Sequence, residues 1–349
     1  MRLGLAVIAM LSTAPAALAL TETPPPGPLA ISIIETYLMP RYEAFERATG
    51  EQAKAWGEAC ADGDFAPDLN TLRERYAAAA DGWAAIEHVT TGPMSVGLRS
   101  DRVFFQPDRR NVVAKSLAEL EGRAKDGDIS LETIRSVSVA GQGFPALERL
   151  LYETDDADAR TRCRVGIAIA GNLAAIAGDV VREWRSDTGP LARLKKGEGD
   201  PVHFADPAQA SARLMTDLAG GIQRVNDVKI LPVMGNAADM ARPKAAEGWR
   251  SGRSARAIKV ATASLAAMAK AFSAAAPKDV AATDSRAFIA AEAAVAKLPD
   301  DLGDAAADPR RRKTIEAAIA ALKVAQNDLA KNLAPALGVP LGFNALDGD

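Results

Sequence analysis

An all-α fold of two helical domains is predicted by three observations. Apolar residues return at i, i+3 and i+4 through most of the chain, the spacing that gives a helix one buried stripe. Alanine, leucine, lysine and glutamate dominate these stretches, and all four favour helix. No segment alternates apolar and polar residues as a half-buried strand does. The 349 residues suffice for two domains of about 150 residues each. A stretch rich in Gly, Pro and charge, 189–206, is the best boundary between them.

The elements follow in order. The first nineteen residues read as a secretory signal peptide: Arg2 supplies the positive start, Leu3 to Leu11 the apolar core, and Ala17-Leu18-Ala19 a small-x-small cleavage site. That apolar stretch is too short to span a bilayer, so the mature chain is expected to have no membrane span. Residues 20–29, with Pro24-Pro25-Pro26, form an extended leader. An N-terminal domain over 30–188 starts with a long helix through Ile31, Ile34, Tyr37, Leu38, Tyr42, Phe45 and Trp56 to Cys60, bent at Pro40. Asp68 or Asn70 caps a second helix through Leu72, Tyr76, Trp83 and Ile86, stopped near Gly92-Pro93. Arg102 to Asp108 reads as an extended loop, followed by a helix over Val112 to Ala124 and another starting at Ser130. Gly141 and Gly143 precede a helix at Pro145, and a long alanine-rich helix covers Asp156 to Trp184.

The C-terminal domain, 207–349, begins with a helix from Pro207 to Lys229, broken at Pro232 and Gly235. A helix from Pro243 to Arg250 follows, then further helices over Ala255–Ala275, Thr283–Lys297 and Pro309–Ala336. Both halves thus repeat a loose plan of two long helices, a Pro/Gly break and shorter helices.

Net charge is -3 and becomes about -4 once Arg2 is removed. This mildly acidic balance gives no support for nucleic-acid binding. Export to an oxidising compartment, the periplasm of a Gram-negative cell, permits a disulfide between the two cysteines, Cys60 and Cys163. Two buried, unpaired thiols are the other reading.

The most informative stretch is Gly143-Phe144-Pro145-Ala146-Leu147-Glu148, followed by Arg149-Leu150-Leu151-Tyr152. It resembles the hallmark segment of the imelysin family, bacterial cell-envelope proteins once described as metallopeptidases. In that family the segment commonly reads Gly-x-His-x-x-Glu, with His and Glu three apart on one helical face. Here Pro145 stands at the His position and has no nitrogen free for a metal. Further blocks carry the same resemblance: Trp83 with Gly92-Pro93, the Phe105–Asp108 loop, Cys163 with Asn172 and Trp184, the Pro243–Gly252 block, and the ending Gly338–Asp349. The resemblance implies two related helical-bundle domains, arisen by duplication, packed about a cleft.

Candidate functional residues follow from these blocks. Glu148 reads either as a carboxylate ligand in the cleft or as an acid that complements a helix dipole in the first turn. In Glu247-Gly248-Trp249-Arg250-Ser251-Gly252, an acid, an indole, a guanidinium and a hydroxyl lie within five positions. Glu247 is a candidate cation ligand, and Arg250, Ser251 and Trp249 are candidate ligand-binding residues. The alternative is a loop locked by an Arg250–Glu247 bridge. Asp108 reads as a helix cap or a metal ligand, and Asp347 in the acidic tail is a further oxygen ligand. The two histidines, His88 and His203, form no His-Glu-x-x-His pair. No cysteine has a neighbouring His, and no Gly-x-Ser-x-Gly elbow, P-loop or dinucleotide fingerprint is present.

The expected function is that of a periplasmic, non-catalytic binding protein. The family resemblance links it to iron uptake or handling. Oxygen donors Glu148, Glu247, Asp108 and Asp347 suit iron or another hard cation. Its partners would be a metal ion or small ligand, and an envelope transporter or partner protein. The alternatives are a metallopeptidase of the imelysin type, which needs a metal-activated water and a base, or a cell-envelope scaffold for a protein or peptide.

Overall fold

In the computed structural model, the described residues are 26–342 without 109 and 154–157. The signal peptide, most of the leader and the tail carrying Asp347 lie outside them. The described residues are all-α and contain no strand.

The first helix runs as α1 (Pro26–Ile33), a π-turn (Ile34–Leu38) and α2 (Met39–Ala59). A proline cannot donate to the carbonyl four residues back, and its ring crowds that carbonyl. For Pro40 that residue is Thr36, inside the π-turn, where the wider winding makes room. The expected bend is therefore a local change of winding inside a continuous helical path. The same relation recurs twice. Pro232 follows the π-turn Val225–Ile230 and Pro335 follows Leu329–Leu333, with Val228 and Lys331 as the residues four back.

Around α2 pack α3 (Leu69–Ala84) and α8 (Ala159–Arg185). Gly166 lets α8 meet Trp56, because a Cβ there would lie 2.1 Å from the indole. Cys60 and Cys163 form a disulfide that pins the end of α2 to the start of α8, with Cα atoms 5.6 Å apart. Asp68 stands at the N-cap of α3 without a side-chain cap bond. The helix ends at Ala84, earlier than Gly92-Pro93, which opens a 3-10 run (Gly92–Leu98). Arg102 belongs to a short helix, α4 (Arg99–Val103), and the expected loop begins only at Phe104. Next come α5 (Val112–Ala124), α6 (Leu131–Ser136) and α7 (Phe144–Tyr152). Ser130 caps α6 by accepting from the Thr133 amide at 3.1 Å. Gly143 caps α7 where the backbone passes the Val103 carbonyl, which a Cβ would meet at 2.1 Å.

The expected boundary segment is partly ordered as α9 (Pro190–Lys195). Ala159–Lys195 is apolar enough, by length and composition, to cross a bilayer, and 61% of its apolar window is buried in the protein.

In the second half, α10 (Pro207–Arg224) runs through its π-turn into α11 (Leu231–Met234), past the expected end at Lys229. Then follow α12 (Ser254–Ser273), α13 (Lys278–Val295), α14 (Leu302–Ala307), α15 (Arg312–Asp328) and, after the third π-turn, α16 (Ala334–Ala336). The stretch 242–253, expected in part as a helix, has only a 3-10 turn at Pro243–Ala245 and is otherwise turns.

The long first helix serves both halves. While α2 packs on α3 and α8, α1 packs on α10 and α12. A buried network joins them at the crossing. Tyr37 Oη lies 2.9 Å from His88 Nε2 and 2.9 Å from Ser264 Oγ, and Arg41 Nε donates to the same Ser264 hydroxyl at 2.9 Å. Burial lowers the His88 pKa to about 3, so its ring is neutral. Asp217 on α10 accepts from the Thr90 hydroxyl (2.6 Å) and the Thr91 amide (3.1 Å).

Candidate functional site

A cavity of about 1020 Å³ is lined from the first half by the 104–108 loop and α7, and from the second half by the π-turn before α11 and the 242–250 stretch. Glu148 sits at its edge, 5% exposed. Because α7 begins at Phe144, Pro145 takes its second position and Glu148 its fifth. The acid therefore lies beyond the first turn, which removes the helix-dipole account of it.

Ser251 accounts for Glu148 instead. Its backbone N–H (2.9 Å) and its hydroxyl (2.6 Å) both donate to Glu148 Oε1. Ser251 reaches this position through a turn at Gly248, whose φ of +63° is in the left-handed region that glycine adopts without strain. The Arg253 amide closes that turn on the Gly248 carbonyl at 2.9 Å. Burial pushes the Glu148 pKa up, and the two Ser251 bonds and the Arg250 charge oppose that rise.

Arg250 pairs with Glu153, not with Glu247. Its Nε donates to Glu153 Oε1 at 2.5 Å, while Arg149 Nη1 donates to Glu153 Oε2 at 2.7 Å. One carboxylate thus holds two guanidinium groups, one from each half. The Arg250 guanidinium also lies over Trp249, 4.4 Å from the ring centre, and Lys244 Nζ lies 5.3 Å from that ring.

Glu247 faces the interior. It pairs with Lys229, whose ammonium also lies 2.8 Å from Glu87 Oε1. The Lys229 and Glu87 side chains are each only 2% exposed. Burial alone would lower the Lys229 pKa, but Glu247 and Glu87 outweigh it and hold the ammonium charged. Burial raises the Glu87 pKa against the pull of Lys229. Arg224 lies 3.8 Å from the other Glu87 oxygen.

Asp108 accepts from the amides of Val112 (2.6 Å) and Val113 (3.3 Å), so it caps α5 from the rim of the cavity. The loop carrying it contains a cis peptide bond at Gln106-Pro107.

The structure therefore brings Glu148, Ser251, Arg250 and Trp249 into one neighbourhood, keeps Asp108 at the rim and turns Glu247 into a buried ion pair. Asp347 lies outside the described residues. Among the described residues no three His, Cys, Asp or Glu side chains converge on one point. Sequence reasoning missed Glu87, Lys229 and Glu153. The signals were present: Lys229 sits inside the apolar run Val228-Lys229-Ile230-Leu231, and Glu153 lies four residues after Arg149.

The family model for imelysin matches residues 38–329. The chain belongs to the imelysin family. Its fold is similar to that of an imelysin-like protein from Psychrobacter arcticus, with 21% identity and a TM-score of 0.77 over 91% of this chain and 97% of that one. It is also similar to a putative iron-regulated protein A precursor from Parabacteroides distasonis, with 16% identity and a TM-score of 0.73 over 89% and 95% of the two chains. No curated protein matches. In this member of the family the Gly143–Glu148 segment starts α7 and brings Glu148 to the cavity, while Pro145 forms part of the wall.

Proposed function

We propose that this imelysin is a non-catalytic binding protein of the bacterial cell envelope that holds its ligand in the cavity and works in iron handling. The observation that carries this reading is the cavity of about 1020 Å³ walled by both halves, with Glu148 fixed at its edge by Ser251. A volume of that size matches small-molecule sites in general. The name of the Parabacteroides distasonis protein, iron-regulated, supports the link to iron. The signal-peptide pattern at 1–19 supports a periplasmic address.

Metal-dependent peptide hydrolysis would need an open metal site, an activated water and a base. In this chain Pro145, within the segment that resembles Gly-x-His-x-x-Glu, has no nitrogen free for a metal, and Glu247 is tied to Lys229.

Calorimetry of the purified protein with iron, free and chelated, and with copper, zinc and calcium is the test, beside incubation with a denatured protein substrate. Binding of iron in either form without cleavage is the expected result. Chelator-sensitive cleavage abolished by Glu148→Ala, with no iron bound in any form, would replace this reading with the peptidase one.

A further inference from the structure

We infer that the cavity takes an organic anion with a flat apolar body, held by Arg242, Lys244 and Arg250 beside Trp249. This rests on the reading of the cavity as a ligand site and specifies its cargo.

The lining has four basic residues, Arg149, Arg242, Lys244 and Arg250, and three acids, Asp108, Glu148 and Asp227. What decides the chemistry is how many of these still have bonding capacity. Asp108 accepts one amide of α5 on each oxygen, while Glu148 accepts both Ser251 donors on Oε1 and keeps Oε2 without a hydrogen bond among the described residues. Asp227, exposed on the π-turn, has no hydrogen bond or ion pair among the described residues.

The cations differ. Arg149 uses both terminal nitrogens, on Glu153 and on Asn111. Arg250 uses its Nε on Glu153, and its two terminal nitrogens have no partner among the described residues. Arg242 and Lys244 are exposed, and neither side chain has an ion-pair partner among the described residues. Three cations on one short stretch of chain thus retain hydrogen-bond donors, and a guanidinium with free terminal nitrogens suits a carboxylate.

The apolar part of the lining sets the shape of the ligand. Trp249 is half-buried, with Lys244 Nζ and the Arg250 guanidinium both close to its ring, so the indole and the cations are presented together. Phe104, Phe105, Pro107, Pro145 and Pro232 complete the wall. Rigid rings and prolines lose little side-chain freedom on binding, and the aromatic rings of Phe104, Phe105 and Trp249 pack well against a flat apolar body. A bare metal ion would leave most of about 1020 Å³ empty and find no three-donor set among the described residues. Iron bound here therefore arrives inside an anionic chelate, such as an aromatic hydroxy-carboxylate complex.

The test is calorimetry of the purified protein with four probes: 2,3-dihydroxybenzoate, its ferric complex, sulfate, and ferrous ion under anaerobic conditions. The aromatic anion and its ferric complex are expected to bind, with sulfate weaker and ferrous ion alone silent. Lys244→Gln combined with Arg242→Gln changes two exposed side chains and should weaken the anion by about ten-fold, the value of roughly one charge-assisted bond. Asp227→Asn should tighten it. Circular dichroism of each variant confirms the fold.

Ferrous ion binding without the anion would overturn this inference and leave the iron-handling reading standing. Silence of all four probes would count against both. Anion binding unchanged by the double variant would overturn the assigned site, and sulfate binding as tightly as the aromatic anion would overturn the flat apolar body.

Discussion

Ser251 donates twice to one oxygen of Glu148, through its amide and its hydroxyl, across a separation of 103 residues. The bond links the family segment on α7 to the 242–253 stretch of the other half. Burial disfavours the Glu148 charge, so each lost donor should be felt. Ser251→Ala removes the hydroxyl and leaves the amide, and is expected to lower stability by about 1–2 kcal/mol. Urea unfolding monitored by circular dichroism reads this directly. An unchanged midpoint would mean that solvent replaces the hydroxyl.

Lys229 lies between Glu87 and Glu247 with almost no exposure. Its replacement by methionine would leave two buried carboxylates without their cation, at a cost of about 3–5 kcal/mol. A triple variant, Glu87→Leu, Lys229→Met and Glu247→Leu, should recover much of that loss, because an apolar trio needs no counter-charge. If the triple variant is no more stable than Lys229→Met, packing and not charge pairing explains the effect.

Burial raises the pKa of Asp217 to about 6, against the pull of its Thr90 and Thr91 bonds. Asp284, bonded to Ser273, is also raised to about 6 by burial. An acid with a raised folded pKa binds its proton more tightly when folded. Stability therefore falls as pH rises from the unfolded value near 4 through about 6, and levels off above. Each group contributes at most about 2–3 kcal/mol to that fall. Asp217→Asn should flatten the decline, and melting temperatures from pH 4 to pH 7 would show it. A decline as steep as wild type would exclude Asp217 as its source.

The Cys60–Cys163 bridge closes a separation of 103 residues. In the chain-entropy model a loop of that length contributes about 4–5 kcal/mol. The Cys60→Ser/Cys163→Ser variant should unfold at clearly lower denaturant, with its helical signal retained in buffer. Equal midpoints for the oxidised protein and the variant would contradict the constraint.

The all-α fold was legible because helical spacing is a local property. Leu72, Tyr76 and Trp83, for example, sit on one face of α3 whatever the rest of the chain does. Boundaries were less legible. The second helix stops at Ala84, and 242–253 forms turns and not a helix. Of the candidate site, Glu148, Trp249, Arg250 and Ser251 are neighbours in space. Their partners were not readable. Arg250 bonds Glu153 instead of the nearby Glu247, because Glu247 is turned inward to Lys229.

By itself the sequence determined the helical architecture and the Gly143–Glu148 segment that carries the family resemblance. Each is written in residue identities and short-range spacing. Only the tertiary structure decided which charges remain available. Asp108, Glu148 and Glu247 all read as possible cation ligands, yet each is held by a helix terminus, a serine or a buried lysine from elsewhere in the chain. A carboxylate's chemistry depends on which partners reach it, and those partners are set by the packing of helices far apart in sequence.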